Sequence, residues 1–126
     1  MNRIFLFFLF SSILLAEYIN FPHTIELKKD QIVKYIVYYD KWEFPFEFRW
    51  TLYKNDILIF LYKYNNFPRQ AAIHKDPPLN AIKVKIAPYP QFYPYFLIEF
   101  VDFNDKIAIF KIHLFNGKKV KVKEIK

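Results

Sequence analysis

The chain contains no cysteine, so no disulfide can staple it and no thiolate can serve as nucleophile or metal ligand. Glycine occurs once, at Gly117. Phosphate-cradling and dinucleotide-binding loops need several glycines at fixed spacing, and both are therefore excluded. Serine is confined to Ser11 and Ser12, inside an apolar leading run, which removes serine triads from everything that follows. The three histidines, His23, His74 and His113, do not pair at the spacing of a metal-binding helix or strand. The nearest approach to a cluster is His74-Lys75-Asp76, and the expectation is no metal and no cofactor. Helical periodicity is also missing beyond Ala16.

What is present begins with a targeting signature. Met1, Asn2 and Arg3 form a short basic start, and Ile4 to Ala16 is apolar apart from the two serines. That length suits a signal-peptide core and falls short of the roughly 20 residues needed to span a bilayer. Charge returns at Glu17, so residues 1–16 are expected to be a signal peptide cleaved after Ala16. Leu14 occupies the −3 position, where a small residue is preferred; retention as a membrane anchor is the alternative. No cysteine exists to carry a lipid. The remainder, 17–126, is about 110 residues and suits one domain with one core.

The formal net charge is +7, and sixteen of the nineteen basic residues are lysine. Lysine, isoleucine, phenylalanine, tyrosine and asparagine are the residues an AT-rich genome encodes readily, so the charge is a weak functional signal. Export argues against nucleic acid as a partner despite the basic, aromatic-rich composition.

Period-two alternation between turn residues runs through the mature chain. Strands are expected at 24–28, 32–39, 46–53, 57–64, 69–75, 81–87, 95–103 and 107–115. Asn116-Gly117 is then expected to act as a hairpin turn into a last strand through Val120 and Val122. In the third strand, Phe46, Phe48, Trp50 and Leu52 should face one way and Glu47, Arg49, Thr51 and Tyr53 the other. Eight or nine short strands at this spacing predict an all-β, two-layer antiparallel sandwich. An immunoglobulin-like arrangement with Trp50 in its core is favoured, and a small closed β-barrel is the alternative.

Asp30, Asp40, Asp56, Asp76 and Asp105 fall at expected turns. Glu47 and Glu99 sit mid-strand and could form a carboxylate pair for acid–base chemistry. Solvent-facing pairing with Arg49 and nearby lysines is the favoured reading, and no enzyme is expected.

Three features could serve binding. Ile57 to Phe60 and Tyr95 to Phe103 are apolar on both faces, which calls for covering loops or for an oligomer or partner interface. Phe44-Pro45, Phe67-Pro68-Arg69-Gln70 and 88–95 place aromatics beside prolines. Stiff loops of this kind present Phe67, Arg69, Tyr89, Phe92 and Tyr93 as candidate binding residues, unless the rings plug the sandwich ends. Lysine rows form at Lys83 and Lys85 and at Lys119, Lys121 and Lys123. They could attract anionic lipid or glycan, although defence of an edge strand against aggregation is the favoured reading.

The run Arg49-Trp50-Thr51-Leu52-Tyr53-Lys54-Asn55-Asp56, with Tyr64-Asn65-Asn66-Phe67-Pro68, resembles small uncharacterised exported proteins of AT-rich Gram-negative bacteria. The resemblance implies a periplasmic location and carries no activity, cofactor or site. The expectation is a periplasmic or secreted, non-enzymatic protein. It would act by contact with an envelope protein or by self-association. The alternative is a basic module binding anionic lipid or glycan.

Overall fold

The computed structural model describes residues 18–87 and 93–126. The leading run 1–16 and its expected cleavage point lie outside the described residues. All described elements are strands: β1 (His23–Lys28), β2 (Val33–Tyr39), β3 (Trp42–Lys54), β4 (Ile57–Tyr64), β5 (Phe67–His74), β6 (Ala81–Lys85), β7 (Tyr95–Asn104), β8 (Ile107–Phe115) and β9 (Val120–Ile125). Among the described residues no helix is long and apolar enough to cross a membrane.

The strands form two antiparallel sheets, one of order β1-β8-β7-β6 and one of order β5-β4-β3-β2-β9. Their facing sides bury one continuous core, in which Phe48, Phe60, Phe96, Phe100 and Phe110 are almost fully enclosed. The two-layer β-sandwich expected from the alternation is the observed architecture, with open sheets and not a closed barrel. Trp50 is buried in the core. The strand order is built from two meanders, β2 to β5 and β6 to β8, each flanked by a strand from the far end of the chain. The immunoglobulin constant arrangement instead sets its second strand beside the fifth, so the likeness extends to the layers and not to the connectivity.

The hairpins are made without glycine. Asn55-Asp56, Asn65-Asn66 and Asp105-Lys106 all take left-handed φ, between 51° and 67°. Two consecutive left-handed residues are the turn whose twist matches that of the flanking strands. Asn and Asp tolerate it better than other side-chain-bearing residues.

Two bulges change which side chains face the core. Between Trp50 and Leu52 the pairing of β3 with β4 slips, so Leu52, expected inside with Trp50, is half exposed. Tyr53, expected outside, turns inward and stacks on Phe103 with ring centroids 4.2 Å apart. A matching slip between Phe100 and Asp102 in β7 brings Phe103 to the inner side. An extra residue reverses every later side chain on a strand of period two.

Asn116-Gly117 is not a hairpin turn. β8 lies in one sheet and β9 in the other, where β9 pairs with β2 from Tyr39↔Val120 to Lys34↔Ile125. Asn116 takes the left-handed φ of 54° and the glycine does not. Gly117 is needed for space: a Cβ there would run into the side chain of Leu114. Gly117→Ala is therefore expected to cost about 1–3 kcal/mol of overpacking, read as a lowered urea midpoint with an unchanged slope. No loss would mean that Leu114 can swing aside.

Candidate functional site

The two sides of the sandwich differ. On one side, the chain entering β1 lies along the outer edge of β9. Tyr18 bridges to Lys123, and the Ile19 N–H donates to the Val122 carbonyl at 2.8 Å. On the other side, β5 ends one sheet and β6 ends the other. Between them opens a groove of about 420 Å³, within the size range of ligand sites.

The floor of the groove is built by alternation. Phe44, Tyr62 and Tyr64 point inward from β3 and β4, and Val84 and Ile86 face them from the β6 segment. Phe44 and Tyr64 pack with centroids 5.7 Å apart. The Tyr64 hydroxyl donates to the Ile86 carbonyl at 2.7 Å, a bond that ties one sheet to the other under the groove. Burial pushes the Tyr64 phenol well above its ordinary range.

The rim carries Phe67 and Arg69 from β5 and Lys83 and Lys85 from β6. Phe67 is 67% exposed. No acidic side chain lines the groove among the described residues.

Tyr93 completes the lysine side. Its hydroxyl lies 2.5 Å from Lys83 Nζ, and Lys83 and Lys85 both sit over its ring, at 4.7 and 4.8 Å from the centroid. Lys83 also covers the Tyr95 ring at 4.2 Å. Hydrogen bonding from the Lys83 ammonium, reinforced by the charges of both lysines, lowers the Tyr93 phenol below its ordinary value. Stacking on aromatic rings holds these cations in place, so less side-chain entropy is lost when they meet an anion.

Four of the sequence candidates, Phe67, Arg69, Lys83 and Lys85, thus converge on one groove, with Tyr93 behind the lysines. Tyr89 and Phe92 lie outside the described residues. Lys119, Lys121 and Lys123 belong to the β9 end of the other sheet, where Lys121 Nζ sits 5.4 Å over the Tyr18 ring. The two lysine rows therefore occupy opposite sides of the sandwich and do not form one basic face. Sequence reasoning singled out Phe44 beside Pro45 but missed Tyr62, Tyr64, Val84 and Ile86, which read as ordinary strand residues.

The carboxylates are placed apart as well. Glu47 lies on the outer face of the five-stranded sheet, 3.7 Å from Lys63, and Arg49 reaches Asp30 instead at 4.0 Å. Glu99 lies on the outer face of the other sheet, 3.0 Å from His113 Nε2. The core separates the two, so they cannot act on one substrate as acid and base. Among the described residues no three His, Asp or Glu side chains gather as a metal site.

On the outer faces, Ile57, Ile59, Leu97 and Ile109 are half covered by neighbours, while Leu52 and Val101 stay about half exposed. The double-sided apolar strands are thus covered in part by their own sheet.

Comparison with protein-family models, with curated proteins and with solved structures returns no match to the chain.

Proposed function

We propose that this protein is an exported, non-enzymatic binding module of the cell envelope that holds an extended segment of another protein. The observation that carries the reading is the open side of the sandwich. An aromatic groove rimmed by cations lies between the edge strands of the two sheets, β5 and β6, neither of which pairs with a further strand among the described residues. Extended segments add to such edges through main-chain hydrogen bonds, and pockets beside the edge select alternate side chains. The apolar leading run, read as a signal peptide, supports the envelope location. The rival reading, a basic surface for anionic lipid or glycan, is weakened by the separation of the two lysine rows.

The test is a photo-crosslinking amino acid placed at Phe67, with Leu52, on the outer face of the same sheet, as control. In intact cells the Phe67 position should yield a discrete protein adduct and the Leu52 position none. Phe67→Ala with Arg69→Ala should abolish co-purification of that adduct's protein. Both side chains are exposed, so the stability change should stay within about 0.5 kcal/mol. Equal adducts at both positions, or none at Phe67, would sink the reading.

A further inference from the structure

We infer that the groove's partner is an acidic extended peptide, seated as an added strand on the outer edge of β6. This rests on the reading of the groove as a peptide site and adds which edge is used and what sequence it selects.

The edge is decided by backbone direction. In an antiparallel strand the main-chain groups of alternate residues point to opposite sides. The Ile86 N–H points to the Pro94 carbonyl on the β7 side. Alternation then turns the groups of Ala81, Lys83 and Lys85 outward, an uninterrupted row on an edge that pairs with no strand among the described residues. On β5 the His74 N–H goes outward to the Leu79 carbonyl, so the outward set is Pro68, Gln70, Ala72 and His74. Pro68 has no N–H to give and that of His74 is taken, which leaves β5 interrupted at both ends. β6 is the better template.

The sequence preference follows from the two faces of β6. A residue paired opposite Lys83 or Lys85 shares their outer face and lies beside two ammonium groups held on Tyr93 and Tyr95. Opposite charges in directly paired positions are favoured. The intervening peptide residue sits opposite Val84, on the inner face, and projects into the groove over Phe44 and Tyr64. The selected pattern is acidic–apolar–acidic. A second copy of β6 is a poor occupant because lysine would oppose lysine.

The probe is a short capped peptide alternating glutamate with valine, titrated into the protein at low salt by fluorescence anisotropy. Binding should weaken about tenfold or more in Lys83→Glu/Lys85→Glu, and it should weaken as salt rises. Both lysines are exposed, and an unchanged melting curve would show the variant folded. The same peptide N-methylated at its edge-pairing residues should fail to bind, because the charge remains and the main-chain donors are gone. Equal binding of the N-methylated peptide, or of a version with lysine in place of glutamate, would overturn the inference. So would displacement of the peptide by a polyuronate oligosaccharide at lower concentration than unlabelled peptide requires. No peptide binding alongside a persistent protein adduct at Phe67 would reject the acidic strand and leave the groove standing. Loss of both would reject the groove.

Discussion

Trp50→Ala is expected to destabilise the protein by about 3–5 kcal/mol, a large share of what a domain of this size possesses. Trp50 is 3% exposed, and its indole N–H donates to the Leu27 carbonyl at 2.8 Å across the sandwich, from β3 to β1. Its ring meets Phe103 edge-on with centroids 5.4 Å apart. Alanine would leave a cavity between the sheets, orphan a buried carbonyl and loosen the edge strand β1. No disulfide exists to limit the damage. Trp50→Phe separates the contributions: it keeps most of the apolar volume and loses the hydrogen bond, so about 1–2 kcal/mol should be lost. Urea denaturation of the two variants tests this directly. A cost below 1 kcal/mol for alanine would mean that the two sheets do not depend on this contact.

The placement of Trp50 was legible because Phe46, Phe48 and Trp50 alternate without interruption. β4 and β8 are legible to their observed ends, each being a long, mostly apolar run closed by Asn. Legibility failed where one residue is inserted. Nothing in the local composition of Trp50-Thr51-Leu52 marks a bulge, yet the slip exposes Leu52 and turns a half-buried Tyr53 onto Phe103. The first part of β3 was missed because Pro45 argues against a central strand. There β3 pairs only with β2, at Ile36↔Pro45, since β4 begins to pair at Phe46↔Tyr64. On the far side of Pro45 the chain has already turned, so only its carbonyl is used, accepting from the Asn65 N–H at 2.8 Å, and the missing N–H costs nothing.

The groove was present in the sequence only as fragments. Phe67 and Arg69 stood out as an aromatic–proline loop and Lys83 and Lys85 as a lysine row, with nothing to connect them. Their convergence depends on the chain crossing from one sheet to the other between β5 and β6, which makes both strands sheet edges on the same side. That is a property of topology, and alternation within a strand carries no information about it. The misreading of Asn116-Gly117 has the same origin. Asn116-Gly117 is a good turn dipeptide, but the residues beyond it pair with β2 and not with β8.

Above about pH 10 the protein should lose stability steeply, with Tyr35 a principal cause. Tyr35 is 2% exposed and packs between Phe46 and Phe48. Its hydroxyl is buried with no hydrogen-bond partner among the described residues. Burial, with a further contribution from the Glu124 carboxylate, raises its phenol far above the ordinary value of 10.0. The fold therefore holds Tyr35 protonated where the unfolded chain would ionise. For a group raised in this way, the stabilisation is complete below the unfolded value and is lost as pH climbs towards the folded one. The loss is about 1.4 kcal/mol per pH unit per group. Tyr64 is raised by burial to a similar degree and should contribute comparably. By about pH 12 the two together should remove about 5 kcal/mol, comparable with a marginal domain's whole stability. The two side chains separate at neutral pH. Tyr35→Phe removes an unsatisfied buried hydroxyl and should gain about 1 kcal/mol, whereas Tyr64→Phe gives up its bond to the Ile86 carbonyl and should lose about that much. Urea midpoints followed from neutral pH to about pH 12, alongside tyrosinate absorbance, decide the matter. Tyr35→Phe should flatten the alkaline fall, and a fall as steep as in the parent protein would show that Tyr35 is not the group held protonated.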